Sequence, residues 1–216
     1  MTAYKTEEEQ VEDLKRWWEK NGKYVIILTI VVIATTLGVK TWKDFEISTA
    51  NKASAQYELM MQELAAGKND SVIQRGEDII KKNADLEYAV LAAMTVAKVH
   101  VGNEDYDKAA DRLKWAMLNT KDDKIQHIAR IRLAKVLISQ DKFDEALTYA
   151  TYPEQGVFSS QYLIVKGDLF YKKGELESAK TAYKAAINDS GINPQLKGFI
   201  QIKLDDIGGT SVGDAG

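Results

Sequence analysis

The chain has 216 residues, 29 of them basic and 32 acidic, with a net charge of −3, two histidines, two prolines and no cysteine. With charges of both signs well mixed there is no cationic footprint for nucleic acid. Without thiols neither a disulfide nor a thiolate metal site is available, so any exported part must hold together by packing alone.

Residues 1–23 form the first segment. Its stretch TEEEQVEDLKRWWEKNGK places Val11, Leu14, Trp17 and Trp18 at i, i+3, i+6 and i+7, the single apolar face of an amphipathic helix that ends at Asn21 and Gly22. Such a helix either lies in a lipid interface or docks on a membrane partner. Sixteen uncharged residues then follow between Lys23 and Lys40, in a chain that is 28% charged. Val25, Ile26, Ile27, Leu28, Ile30, Val31, Val32 and Ile33 cover every side of a helix, leaving no stripe for water. A cleaved signal would have a basic, acid-poor start and a small-x-small exit, whereas this one begins with Glu7, Glu8 and Glu9 and leaves through TTLGVKTW. The segment 24–42 therefore reads as a membrane anchor. Lys23 and Lys40 snorkel outward, and Tyr24 and Trp42 add to the interfacial aromatic belts. Ten Val, Ile and Leu contribute at most about 4 kcal/mol to insertion in the bilayer. Lys15, Arg16, Lys20 and Lys23 precede the span, against Lys40 and Lys43 after it, which predicts a cytoplasmic N-terminus and an exported C-terminal domain.

The domain at 43–207 is expected to be entirely helical, given its runs of Ala, Leu, Lys, Glu and Gln. Nothing between Lys40 and Ala66 breaks a helix, so one is predicted to continue toward Leu64, and NKASAQYELMMQEL and DSVIQRGEDIIKKN read as one further hairpin around AAGKND, with Gly67 as the stop and Asp70 or Ser71 capping the next helix. Three segments then repeat a pattern: VAKVHVGNEDYDKAADRLKWAM, LAKVLISQDKFDEALTYA and KGDLFYKKGELESAKTAYKAAI. In each, a small residue on a first helix precedes by twelve positions an alanine on a second: Ala97 and Ala109, Ala134 and Ala146, Gly167 and Ala179. These twelve-residue pairs let the two helices of a hairpin approach closely, while Tyr106, Phe143 or Leu176 plugs the turn. The pattern resembles the tetratricopeptide repeat. It departs from it where that family carries a tryptophan, since Ala93, Arg130 and Leu163 stand there, and the second repeat breaks early at Tyr152 and Pro153. The fold class expected is thus all-α, a single N-terminal transmembrane helix followed by degenerate tetratricopeptide-like hairpins. Asn193 and Pro194 start a capping helix through QLKGFIQIKLDDI, and residues 208–216 read as a flexible tail.

Chemistry is sparse. His100 falls on a packed face, and without a spaced third ligand it and His127 make no metal site. No phosphate loop, nucleophile motif or nucleotide fingerprint appears, so no cofactor is expected and a non-enzyme is predicted. Besides the turn residues Tyr106 and Phe143, nine tyrosines and phenylalanines from Tyr57 to Tyr183 either pack between repeats or line a concave protein-binding surface, and the sequence does not sort one from the other.

The combination of EEEQVEDLKRWWEKNGK, a span ending in Lys40, Thr41 and Trp42, the following NKASAQYELM and the degenerate repeats resembles the YfgM family along nearly the whole chain. That resemblance implies an ancillary subunit of the SecYEG translocon in the Gram-negative inner membrane, with a periplasmic repeat domain that associates with the membrane-bound chaperone PpiD and hands clients to other periplasmic chaperones. The alternative from the residues themselves is an anchored repeat scaffold for another envelope assembly, such as cell-division or cell-wall machinery.

Overall fold

The computed structural model describes residues 6–213, with side chains through Gly208. Among the described residues the chain forms nine α-helices and one 3-10 turn, with no strand. It divides into two units, Met1–Lys52 and Ala53–Gly216.

The first unit is made by α1 (Glu7–Ala65), whose last turns belong to the second. The helix starts with a reciprocal cap: Glu9 N–H donates to Thr6 Oγ1 at 3.4 Å and Thr6 N–H to Glu9 Oε2 at 3.2 Å. It does not end at Asn21 and Gly22. Asn21 Nδ2 donates to the Trp17 carbonyl at 3.0 Å, and the Trp18 indole lies over Gly22, whose missing Cβ would be 3.0 Å from Trp18 Cε2. A helix-interior glycine costs only about 1 kcal/mol, and propagation from both sides outweighs it. The span's polar side chains turn inward on its own backbone. Thr29 Oγ1 donates to the Val25 carbonyl, Thr35 to Val31 and Thr41 to Leu37, at 2.8 to 3.0 Å. No hydroxyl hydrogen is left facing hydrocarbon, where an unmet polar group is costly.

In the second unit α1 is followed by α2 (Asn69–Lys82), α3 (Glu87–Gly102), α4 (Tyr106–Asn119), α5 (Asp123–Ser139), α6 (Phe143–Ala150), the 3-10 turn Gly156–Phe158, α7 (Ser159–Lys172), α8 (Leu176–Asn188) and α9 (Pro194–Gly213). Neighbours in sequence pack on one another from α2 to α9, and α5 also meets α7. Asp122 caps α5, accepting from the N–H of Lys124 at 2.7 Å, and Asn193 caps α9 through the N–H of Gln195 at 2.8 Å. Two helix ends differ from the sequence reading. α2 begins at Asn69 without a side-chain cap, upstream of Asp70 and Ser71, because the turn that closes α1 delivers the chain directly into it. α9 continues into the segment read as tail, through Gly213, since extending a formed helix adds a hydrogen bond for each residue fixed.

One turn recurs four times. Gly67, Glu104, Asp141 and Gly174 all take positive φ, at 70°, 60°, 57° and 79°. After each, the next N–H reaches five residues back: Lys68 to the Glu63 carbonyl, Asp105 to His100, Lys142 to Leu137 and Glu175 to Phe170, at 2.8 to 3.0 Å. This is a glycine-type helix stop that satisfies the last carbonyls of the first helix. The first hairpin, α1 with α2, is therefore in phase with the other three, a fourth repeat that the small-residue pattern did not reveal.

The phase exposes a second pairing, sixteen residues apart, between the two helices of each hairpin. Met60 faces Gly76, Ala97 pairs with Leu113, Ala134 with Ala150, and Gly167 lies under the Tyr183 ring. In three of the four a large side chain on one helix is matched by a small one on the other, while Ala134 and Ala150 are both small. A Cβ at Gly167 would sit 2.5 Å from Tyr183 Cδ1, and one at Gly76 would overlap Val96 Cγ2 and lie 3.1 Å from Met60 Cε. Tyr183 is buried and its hydroxyl donates to Asp168 Oδ1 at 2.7 Å, so its ring is not free to yield.

Gly167→Ala is thus expected to destabilise the protein by about 1–3 kcal/mol through overpacking. Adding Tyr183→Leu, which recreates the Ala97–Leu113 pair, is expected to recover part of the loss. Gly198→Ala, with open space around it, is expected to gain about 0.5–1 kcal/mol. Denaturant midpoints of the single and double variants check all three, and additive effects for the 167/183 pair would contradict the volume match.

Candidate interaction surfaces

In the first unit, Val11, Leu14, Trp17, Trp18, Tyr24 and Trp42 are all exposed, as are the apolar side chains from Ile26 to Val39. The Trp17 and Trp18 rings lie 6.5 Å apart at a 43° tilt, and Lys23 Nζ is 5.1 Å from the Tyr24 ring centre. α1 is long and apolar enough to cross a membrane, and the side chains of its most apolar stretch are exposed.

In the second unit, Ala97, Ala109, Ala134, Ala146, Gly167 and Ala179 are all buried at hairpin contacts. The residue after each first-helix member of this set faces the other way, into a groove: Lys98, Lys135 and Asp168. Two depressions share Lys135. One, of about 320 Å³, runs over Met94, Val101 and Val136 between α3 and α5. The other, of about 600 Å³, runs over Ile138 and Ile164 to Leu196, Phe199 and Lys203 on α9. Asp168 is held at the far end by Lys203 Nζ and the Tyr183 hydroxyl. Burial first and this carboxylate second push the Tyr183 hydroxyl's pKa up, so it stays a donor. The sequence reading missed the groove residues, although their signal was present as the position immediately beyond each small residue.

A third cluster fills the space left by the short α6. His127 stacks on Phe158 with ring centres 4.8 Å apart, meets the Tyr152 and Tyr162 rings edge-on, and places Nδ1 2.8 Å from Tyr162 Oη. The Arg130 guanidinium lies 3.6 Å over the Tyr152 ring, a cation–π contact that offsets its buried Nη1 having no hydrogen-bond partner. Tyr152 and Phe158, which follow the break at Pro153, thus pack against the core rather than line the groove. His100 is buried on α3 with Nδ1 3.8 Å from Asp105 Oδ2. Among the described residues no three His, Asp or Glu side chains come together as a metal site.

This architecture defines the class, an anchored all-α protein of tetratricopeptide type. Residues 15–209 match the family model of the tetratricopeptide repeat-like domain. Over 208 residues the chain is 33% identical to the ancillary SecYEG translocon subunit of Aggregatibacter actinomycetemcomitans, covering 95% of this chain and 100% of that protein. It is 27% identical to the ancillary SecYEG translocon subunit of Escherichia coli strain K12, over 96% and 99% of the two chains, and 25% identical to that of Neisseria gonorrhoeae, over 96% and 100%. The chain belongs to this family of ancillary SecYEG translocon subunits, the YfgM family.

Burial lowers the pKa of both histidines below the ordinary value of 6.5, and Arg130 lowers that of His127 further. The folded chain then binds fewer protons than the unfolded one as pH falls through 6.5, so stability present above that value is lost on acidification toward the folded-state pKa. Thermal midpoints are expected to fall between pH 7.5 and 5.5, and His127→Gln is expected to flatten the slope. An unchanged slope would mean that the aromatic cluster does not hold the ring neutral.

Proposed function

We propose that this protein is a single-pass scaffold of the bacterial inner membrane that associates with the SecYEG translocon. In this reading the N-terminus is cytoplasmic and the repeat domain periplasmic, where it links export to PpiD and other periplasmic chaperones. The observation that carries it is the full-length match to proteins named as ancillary translocon subunits, in a chain that joins a span-length apolar helix to helical hairpins. Val11, Leu14, Trp17, Trp18, Tyr24 and Trp42 would contact the phospholipid bilayer and the channel. The protein acts by binding and not by catalysis: the anchor keeps the repeat surface near emerging chains, and confinement raises its effective concentration there to about the millimolar range, so weak contacts suffice.

Mild-detergent purification of the tagged full-length protein is expected to recover the translocon and PpiD, and deletion of residues 1–43 to lose the translocon. Recovery of division or wall-synthesis proteins without the translocon would reject the proposal. Protease added to spheroplasts is expected to digest the repeat domain and spare the first twenty residues. The reverse pattern would overturn the orientation.

A further inference from the structure

The groove of the second unit has an uneven charge. At its α3–α5 end, Lys98, Arg132 and Lys135 are exposed and have no ion pair among the described residues. Lys98 and Lys135 occupy equivalent positions in consecutive hairpins, and Arg132 stands one helical turn before Lys135 on the same strip of α5. Between them lies an apolar floor of Met94, Ala97 and Val136. The corresponding position in the next hairpin is Asp168, so the row changes sign there, but that carboxylate is neutralised by Lys203. Toward α9 the groove is therefore apolar and electrically quiet, with Phe199 half exposed and Lys203 Nζ 5.1 Å from its ring centre.

Several lysines and arginines elsewhere on this unit carry partners, as Arg75 does with Glu63, Arg112 with Glu77, Lys114 with Glu145 and Lys142 with Asp107. Three cations in one strip without an ion pair among the described residues, on a chain of net negative charge, give that end of the groove a local positive field. Beside an apolar floor, such a field selects for carboxylates and apolar side chains carried by one ligand.

We propose that the groove binds an acidic-apolar peptide segment of a partner protein, with its carboxylates over Lys98, Arg132 and Lys135 and its apolar side chains toward Ile138, Ile164 and Phe199. This assignment rests on the reading of the repeat domain as a protein-binding scaffold and adds the chemistry of its partner. The polarity follows from the cations lying at one end of the groove and the apolar lining at the other: a segment threaded the other way would set its carboxylates over Ile164 and Phe199 and its apolar side chains beneath the cations.

The test uses the full-length protein in detergent and fluorescence anisotropy with a labelled peptide of about twelve residues, glutamates in its first half and leucines in its second. Its Gln-for-Glu counterpart is expected to bind roughly tenfold more weakly or worse, and added salt to weaken the acidic peptide selectively. The variant Lys98→Glu, Arg132→Glu, Lys135→Glu is expected to lose the acidic peptide while keeping its helical circular dichroism, and Lys98→Gln with Lys135→Gln to show an intermediate loss. Equal binding of the acidic and neutral peptides would overturn the proposal, as would unchanged binding by the charge-reversed variant. Displacement of the peptide by phosphatidylglycerol vesicles, but not by phosphatidylcholine ones, would assign the strip to anionic lipid instead. Recovery of the translocon together with no preference for the acidic peptide would sink only the groove assignment. The opposite pair of results would sink the translocon reading and leave the groove.

Discussion

The repeat domain depends on how closely the two helices of each hairpin can approach, and that is set by matched volumes sixteen residues apart. Interiors pack at crystal-like density, so a helix pair settles at the spacing its largest facing side chain allows unless the other helix makes room. Here the room is made by the second helix in one hairpin, where Gly76 yields to Met60, and by the first helix in two others, where Ala97 yields to Leu113 and Gly167 to Tyr183. The Ala134–Ala150 pair has no large member, and it belongs to the hairpin whose second helix is only eight residues long. Three hairpins thus match a large side chain with a small one at this contact, and the fourth is small on both sides.

The recurring turn fixes the register in which those pairs meet. Glu104 and Asp141 occupy a left-handed conformation that glycine adopts without cost, and each stands where Gly67 or Gly174 stands in the other hairpins. The chain tolerates the local strain because the turn returns two N–H groups to carbonyls that would otherwise be left unmet at the helix end. Where the second helix is cut short after Ala150, aromatic side chains replace it. Tyr152 and Phe158 close on His127, and Arg130 is drawn over a ring face instead of into the groove. These aromatic rings pack in the place of the missing turns, and the row of first helices that carries the groove runs on from α5 to α7.

Much of this was legible in the residues. The span was, because lack of charge on every side of a helix is a property of composition and needs no tertiary context. So were the hairpins whose first helix carries a small residue at a fixed distance from an alanine. The α1–α2 hairpin concealed its membership because Met60 and Val72 hold the positions where the pattern expects small side chains, and the compensating glycine lies four residues beyond. The continuity of α1 through Asn21 and Gly22 was not legible for a related reason. Asn and Gly are local stop signals, and the Trp18 ring over the glycine and the apolar helix beyond it override them. The groove lay beyond reach because alternation between core and groove on a buried helix is a matter of one residue's offset. Lys98 and Lys135 differ from any solvated lysine only in what the neighbouring helices put beside them.

The two units thus recognise their surroundings by different physics. The first contributes apolar area and satisfied backbone, which favour lipid or a lipid-facing surface without specifying a detailed contact. The second presents a fixed strip of charge and apolar floor, whose discrimination comes from geometry but whose strength is limited, because each exposed cation in water is worth at most about 1 kcal/mol. A groove of this kind is poorly suited to hold a partner free in solution and well suited to hold one already confined near it. Covalent linkage of the two units in one chain supplies that confinement. A modest, salt-sensitive surface carried beside a strong and unselective anchor can therefore capture and release partners without the slow dissociation that tight binding would impose.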